Sequence, residues 1–274
     1  MIQKKTYTNF FIGALLISLA LISSCTSRID SEYRSAVKEG ERGNFRIAVS
    51  KLEVFTKKYP DHPLTVPAAK EAARISQYEI KDFSRTIGFL KLLILKSKDQ
   101  KERIQAQEQM AQIYFDNLQN YKAAINEFNR LKEISNNSVD KQRFAQMVAK
   151  SNYYLGNFPQ TFNDIDEVLK NNTRVVDRFS LLLLKANTLV AIKDFKPAIA
   201  ILEELRVSYP EQAKQEGIAL SIAICFEEIE DFKKAIEVLE AALVEDPHND
   251  YLLLRIKRLK ERLINKPGSK GMHK

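Results

Sequence analysis

The chain has 274 residues, of which 45% are hydrophobic and 28% charged, enough apolar content to bury the core of one large or two ordinary domains. Gly and Pro number only 8 each and Trp is absent, while Ala, Leu, Ile, Lys and Glu abound, which argues against a turn-rich sheet protein and for an all-α one. The formal charge of +8 is moderate for this length and suits a solvated helical surface, with some attraction to anionic headgroups.

At the N-terminus Lys4 and Lys5 precede an apolar run of 13 residues, Phe10 to Ile22, followed by Ser23, Ser24 and Cys25. A membrane span needs roughly 20 apolar residues, so the run reads as an export signal over 1–24. Ile22-Ser23-Ser24-Cys25 resembles the bacterial lipobox, although Ile stands where Leu is commoner and Ser where Gly or Ala is. The resemblance implies cleavage before Cys25 and lipidation of its thiol. Cleavage would remove Lys4 and Lys5 and no acid, leaving a charge of +6. Residues 25–30 then form a short tether to a first helix capped by Ser31, reaching about 20 Å at roughly 3.5 Å per residue. Thr26 after the cysteine favours, by analogy with enteric sorting, an outer-membrane anchor facing the periplasm. Nucleic acid is not an expected partner there. With Cys25 acylated, only Cys225 remains and no internal disulfide is expected; between Ile224 and Phe226 it reads as a buried structural thiol.

From residue 31 to 249 one pattern recurs: an aromatic residue, a small residue three positions on, and a large apolar one seven positions on. The sets are Phe45, Ala48, Leu52; Phe83, Thr86, Leu90; Tyr121, Ala124, Phe128; Phe158, Thr161, Ile165; Phe195, Ala198, Leu202; and Phe232, Ala235, Leu239. Their aromatics are 38, 38, 37, 37 and 37 residues apart. Offsets of 0, 3 and 7 share one helical face, so each set marks a helix whose small residue admits a close neighbour. A second apolar helix precedes each set, as with Ala219, Ile222, Ala223 and Phe226 before the turn near Glu230 and Asp231. One hairpin cannot bury its apolar face alone, so the hairpins must stack.

These residues resemble the tetratricopeptide repeat, in which the second helix carries the aromatic, small and apolar positions and ends at a proline. Pro60, Pro210 and Pro247 each fall fifteen residues after an aromatic, where that family places it. The resemblance implies a right-handed α-solenoid of about six hairpins, over approximately 31–63, 67–98, 102–136, 140–172, 177–210 and 213–249. The second and fourth repeats depart from it, with Thr86 and Thr161 as the small residue and no closing proline. The repeat lengths exceed the usual one, implying longer turns between repeats. Gly43-Asn44-Phe45 through Tyr59-Pro60-Asp61-His62-Pro63 also looks like the first repeat of the lipoprotein component of the outer-membrane barrel-assembly machine.

After Pro247, Asn249 or Asp250 caps a closing helix over 250–264, with Leu252, Ile256, Leu259 and Leu263 on one stripe. Its other face carries Arg255, Lys257, Arg258, Lys260 and Arg262, opposed only by Glu261. This end patch is a solvated capping face or a contact for an acidic partner or lipid. Residues 265–274 read as a disordered tail.

No catalytic, metal or cofactor motif stands out. His62, His248 and His273 are dispersed, no Gly-rich phosphate loop or nucleophile elbow occurs, and carboxylates such as Glu203 and Glu204 lie at helical spacing from cations such as Arg206. The expectation is therefore a binding protein with no small-molecule substrate, and an enzyme built around Lys150, Tyr153 and Tyr154 is the remote alternative. The family resemblance places ligands on the wall of first helices. Carried over, that wall includes Tyr33, Val37, Glu71, Ile75, Gln109, Ile113, Gln146, Lys150, Tyr153, Leu183, Asn187, Ser221 and Ile224, with Tyr153 and Tyr154 the sharpest candidates. Of the family's carboxylate clamp only Asn187 matches. The expected role is a protein-interaction scaffold in an envelope assembly, outer-membrane protein assembly first, with pilus or secretion-system assembly or a cell-wall enzyme adaptor as alternatives.

Overall fold

The computed structural model describes residues 28–170 and 178–265; the expected export signal over 1–24, Cys25 and the tail from 266 lie outside them. Among the described residues the chain forms helices and turns and no strand. In order they are α1 (28–41), α2 (Phe45–Lys58), α3 (Thr65–Ile75), α4 (Phe83–Lys96), α5 (Gln100–Gln112), α6 (Tyr121–Ile134), α7 (Ser138–Tyr154), α8 (Phe158–Lys170), α9 (Arg178–Ala191), α10 (Phe195–Ser208), α11 (Pro210–Gln215), α12 (Ile218–Glu228), α13 (Phe232–Glu245) and α14 (Asp250–Asn265). Each of the six aromatics opens the second helix of a hairpin, α2, α4, α6, α8, α10 and α13. Residues 28–30 are already helical, so Ser31 lies inside α1 and does not cap it.

The turn within each hairpin obeys one rule. The residue two places before every aromatic has positive φ: Gly43 at 81°, Lys81 at 59°, Gln119 at 49°, Gly156 at 72°, Lys193 at 63° and Glu230 at 59°. The next residue is always Asn or Asp, and its backbone carbonyl receives the N–H of the small residue, as in Ala48 to Asn44 at 2.9 Å and Thr161 to Asn157 at 3.0 Å. The Asp82 and Asp231 side chains also accept from the N–H of Arg85 and Lys234, capping the second helix of the hairpin. One left-handed residue ends the first helix and one Asx residue starts the second, which reverses the chain in a few residues.

The same turns explain why two spacings are 38 and three are 37. Asn157, Asp194 and Asp231 close their turns by donating to carbonyls five residues back, Asn152, Leu189 and Phe226, each at 2.9 Å. Asp82 and Asn120 instead donate six residues back, to Ser76 and Tyr114, both at 2.8 Å. In these two hairpins the first helix ends in a π-helical turn, Ser76–Ile80 after α3 and Ile113–Asn117 after α5. A π turn accommodates one extra residue without displacing the next helix, and both lie within the longer spacings. Among the described links the expected longer turns between hairpins occur only in places: residues 59–64 join α2 to α3 and α11 fills the link from α10 to α12, whereas three residues join α4 to α5 and α6 to α7. Pro210 stands at the first position of α11, where its fixed φ and missing N–H cost nothing, so it starts a helix as well as ending a repeat.

The small and large apolar positions form the core. Ala48, Thr86, Ala124, Thr161, Ala198 and Ala235 have no exposed surface, and Leu52, Leu90, Phe128, Ile165, Leu202 and Leu239 have at most 1%. Each such aliphatic contributes about 1.5–3 kcal/mol over an exposed one. Thr substitutes for Ala in the second and fourth repeats because its hydroxyl donates back to its own helix, Thr86 to the Asp82 carbonyl at 2.9 Å and Thr161 to that of Asn157 at 3.0 Å. No buried donor is thereby left unpaired. The opening aromatics are half-buried, apart from Phe232, which is buried.

The chain divides into two compact units, up to Glu127 and from Phe128. In the first, the core joins Ala36 of α1 to Leu52 and Phe55 of α2, Ala68, Ala69, Ala72 and Ala73 of α3, Leu90 of α4 and Met110 of α5. The four alanines let α3 lie tightly between α2 and α4. In the second unit one cluster gathers Ala149, Ile165 and Leu181, and another runs from Phe179 through Leu202, Ile222 and Leu239 to Leu252, Ile256 and Leu259 of α14. The latter cluster includes Cys225, 1% exposed, whose burial pushes the thiol pKa up and leaves it a structural thiol. Asn249 caps α14 by accepting from the Leu252 N–H at 3.2 Å. No helix among the described residues is long and apolar enough to cross a membrane.

Candidate functional site

In the first unit α1, α3 and α5 lie side by side, tied by polar side chains on the face they share. Tyr33 stacks obliquely on Phe55 at 5.8 Å, and its hydroxyl pKa is raised by burial and by the nearby Glu71 carboxylate. Glu71 is held in turn by Arg74 through contacts of 2.7 and 3.0 Å, and Arg74 reaches Glu79 at 3.4 Å. Lys70 bridges to Glu102 at 3.1 Å, and the Gln109 amide donates to Gln77 on the preceding first helix. Tyr33, Glu71 and Gln109 are thus half-buried on this wall, with Gln77 and Arg74 as neighbours that sequence spacing did not single out. Gln77 lies just past the end of α3, in the π turn, seven residues from Lys70.

Ile75 and Ile113 do not belong to that wall. They are 0% and 1% exposed and pack in the core. Ile75 shares the buried face of Ala68 and Ala72 and packs closely on Gly40 of α1, where a Cβ would stand 3.1 Å from the Ile75 Cδ1.

In the second unit Gln146 and Lys150 of α7 are half-buried and Asn187 of α9 is exposed. Tyr153 packs inward against Phe158 at 6.2 Å and the cluster around Ile165, which raises its pKa by desolvation. Tyr154 meets it edge-on at 5.4 Å and remains 56% exposed, so it supplies the ring that a partner could reach. Near the α7–α8 turn, Asp164 accepts from Asn152 and Gln160, each at 2.7 Å, and on the next helix Lys185 pairs with Asp166 at 2.7 Å. Val37, Leu183, Ser221 and Ile224 are half-buried.

The basic face of α14 is more neutral than its own sequence implies. Arg255 and Arg262 both bind Glu227 of α12, the former at 2.7 Å, and Arg262 also lies over the Phe232 ring at 4.6 Å. Lys260 pairs with Glu240 of α13 at 2.7 Å. Glu261 is therefore not the sole acid facing the patch; Lys257 and Arg258 are the two cations with no ion pair among the described residues. Other pairs lie within one helix, such as Arg206 with Glu203 at 2.6 Å. Among the described residues no three His, Cys, Asp or Glu side chains converge as metal ligands would.

Residues 104–138, covering α5 and α6, match the tetratricopeptide repeat. No curated protein matches the chain by sequence. Among solved structures, the C-terminal part of a TPR repeat-containing protein from Cytophaga hutchinsonii is similar at 19% identity, with a TM-score of 0.56 over 81% of this chain and 85% of that one. PilW, a widely conserved type IV pilus biogenesis factor, is similar at 12% identity, with a TM-score of 0.53 over 83% of this chain and 98% of that one. The stacked helical hairpins thus have the fold of tetratricopeptide-repeat proteins.

Proposed function

We propose that the protein is a lipid-anchored scaffold of the bacterial outer membrane that faces the periplasm and binds other proteins during envelope assembly, outer-membrane protein assembly first. The observation that carries the binding role is the wall of first helices, where Tyr33, the Glu71–Arg74 pair and the Gln77–Gln109 amides offer half-exposed aromatic and polar groups on a rigid frame. Such groups add contact area and hydrogen bonds at small entropic cost. Tyr154 is the corresponding aromatic of the second unit. The anchor rests on Ile22-Ser23-Ser24-Cys25, and the assembly role on the likeness of 43–63 to a barrel-assembly lipoprotein. An alternative, pilus assembly, draws on the fold shared with PilW.

Photo-cross-linkers placed at Tyr33, Gln109 and Tyr154 in living cells, with identification of the captured proteins, test this reading. Recovery of barrel-assembly subunits supports it. Pilus or cell-wall proteins would replace the specific role, and capture of nothing from any position would end the binding role itself. Labelling with a palmitate analogue tests the anchor separately: Cys25→Ser should lose the label.

A further inference from the structure

The outer face of the first hairpin differs from its counterparts. Between α1 and α2 runs a groove of about 760 Å³ lined chiefly by Ser31, Ser35, Arg46, Ile47, Ser50 and Val54. Ile47 is 51% and Val54 62% exposed. They occupy the second and ninth positions after the repeat aromatic, and no later repeat pairs two branched aliphatics there: the equivalents are Arg85 and Leu92, Ala123 and Arg130, Gln160 and Glu167, Pro197 and Glu204, and Lys234 and Ala241. The second position faces the preceding hairpin, since Arg85 of α4 reaches Glu53 of α2 at 3.6 Å. No hairpin precedes α1 and α2 among the described residues, so the first repeat presents apolar side chains where the second presents a cation to its neighbour.

We propose that this groove is a bilayer-contact surface, in which Ile47 and Val54 enter the interfacial layer of an anionic phospholipid membrane and Arg46 meets its phosphates. The inference rests on the lipoprotein reading, and two observations select this occupant. Cys25 is three residues before the first described helical residue, a reach of about 10 Å at roughly 3.5 Å per residue, so an acylated Cys25 would hold the Ser31–Ser35 rim beside the headgroups. The charge also fits. Arg46 is exposed with no ion pair among the described residues, and Glu32, the acid at the rim, is neutralised by Lys58 at 2.8 Å and Arg28 at 3.4 Å. The other cations of α2 are paired, Lys51 with Glu39 at 3.4 Å, Lys57 with Glu53 at 2.7 Å and Lys58 with Glu32, so Arg46 is the charge that α2 leaves open to an anion. Apolar side chains flanked by cations are what an anionic interface takes up.

The test uses the full-length acylated protein with an environment-sensitive fluorophore on Ser50→Cys, or on Gln112→Cys of α5 as a control; Cys225 is buried and should not react. The protein is reconstituted in vesicles of phosphatidylglycerol and phosphatidylethanolamine, or of phosphatidylcholine, containing brominated acyl chains. The expected result is at least twofold quenching at position 50 in the anionic vesicles, weaker quenching in neutral ones and none at position 112. Ile47→Asp with Val54→Asp, both exposed and so compatible with folding, should halve the quenching while the helical circular dichroism is unchanged. A position-50 probe that stays in water overturns the proposal. So does a probe shielded without vesicles, whether by residues 10–22 of an uncleaved chain or, with concentration dependence, by a second copy. Mass spectrometry of Cys25 separates the two readings: an acylated chain with its probe in water loses only the groove, and an unacylated chain with its probe in lipid loses only the anchor.

Discussion

At the residue scale the hairpin turns concentrate the backbone strain. Four of the six positive-φ turn positions carry side chains, Lys81, Gln119, Lys193 and Glu230, and a Cβ in the left-handed region is unfavourable by about 1–2 kcal/mol. Glycine relieves that strain but loses more freedom on folding, by roughly 0.5–1 kcal/mol. Lys193→Gly should therefore stabilise the protein by up to about 1 kcal/mol, read as a higher urea midpoint; a lower midpoint would mean that the Lys193 side chain has a role beyond the turn. Glu102 provides a pH-dependent contribution. Its carboxylate accepts from Ser97 at 2.5 Å and pairs with Lys70 at 3.1 Å, and these hold its pKa below the ordinary 4.5. Because the folded value is the lower one, the stabilisation is complete above the unfolded value and fades as pH falls through the folded one. The advantage of wild type over Glu102→Gln in urea melts should accordingly be present at neutral pH and vanish in acid.

At the scale of elements, the π turns carry the one-residue difference between the hairpins. Tyr78, inside the first of them, is 63% exposed, and removing one residue there should convert the π turn to α-helix and the six-residue closure to the five-residue one. Deletion of Tyr78 is expected to be tolerated, with a loss of about 1 kcal/mol or less. Deletion of the exposed Asn187 from α9, which has no π turn, should rotate the rest of that helix by about 100° and remove buried leucines from the core, at several kcal/mol. Thermal melts of the two variants compare them directly, and equal losses would reject the π-turn account. The Asx residue before each aromatic is an element-scale signal that was present in the sequence: with the left-handed residue before it, it marks all six turns. Spacing alone passes over it because spacing tracks buried positions and this residue is at the surface.

For the whole molecule, stability in stacked hairpins is close to a sum of local terms, because each hairpin contacts mainly its neighbours. Leu202, fully buried beside α9 and α12, illustrates this. Leu202→Ala should destabilise by about 2–5 kcal/mol and raise amide exchange in α9 to α13, leaving α2 to α4 at wild-type rates. Uniformly faster exchange in both units would show that they unfold as one. The wall of first helices belongs to this scale as well. Tyr33, Glu71 and Gln109 lie on it, but Ile75 and Ile113 do not, since they continue the buried stripes of Ala68 and Ala72 and of Ala106 and Met110.

The sequence by itself determined the all-helical class, the six hairpins, the buried small and apolar positions and the closing helix, because each depends on local periodicity and on side-chain size. Tertiary structure decided what depends on residues far apart in the chain. It brought Glu227 and Glu240 onto α14, so that a face reading as five cations against one acid has three of those cations paired. It also joined Gln77 to Gln109 and left Ile47 and Val54 uncovered, with no hairpin before α1 among the described residues to bury them. Periodicity identifies which residues share a helix face, but what lies opposite that face is set by packing.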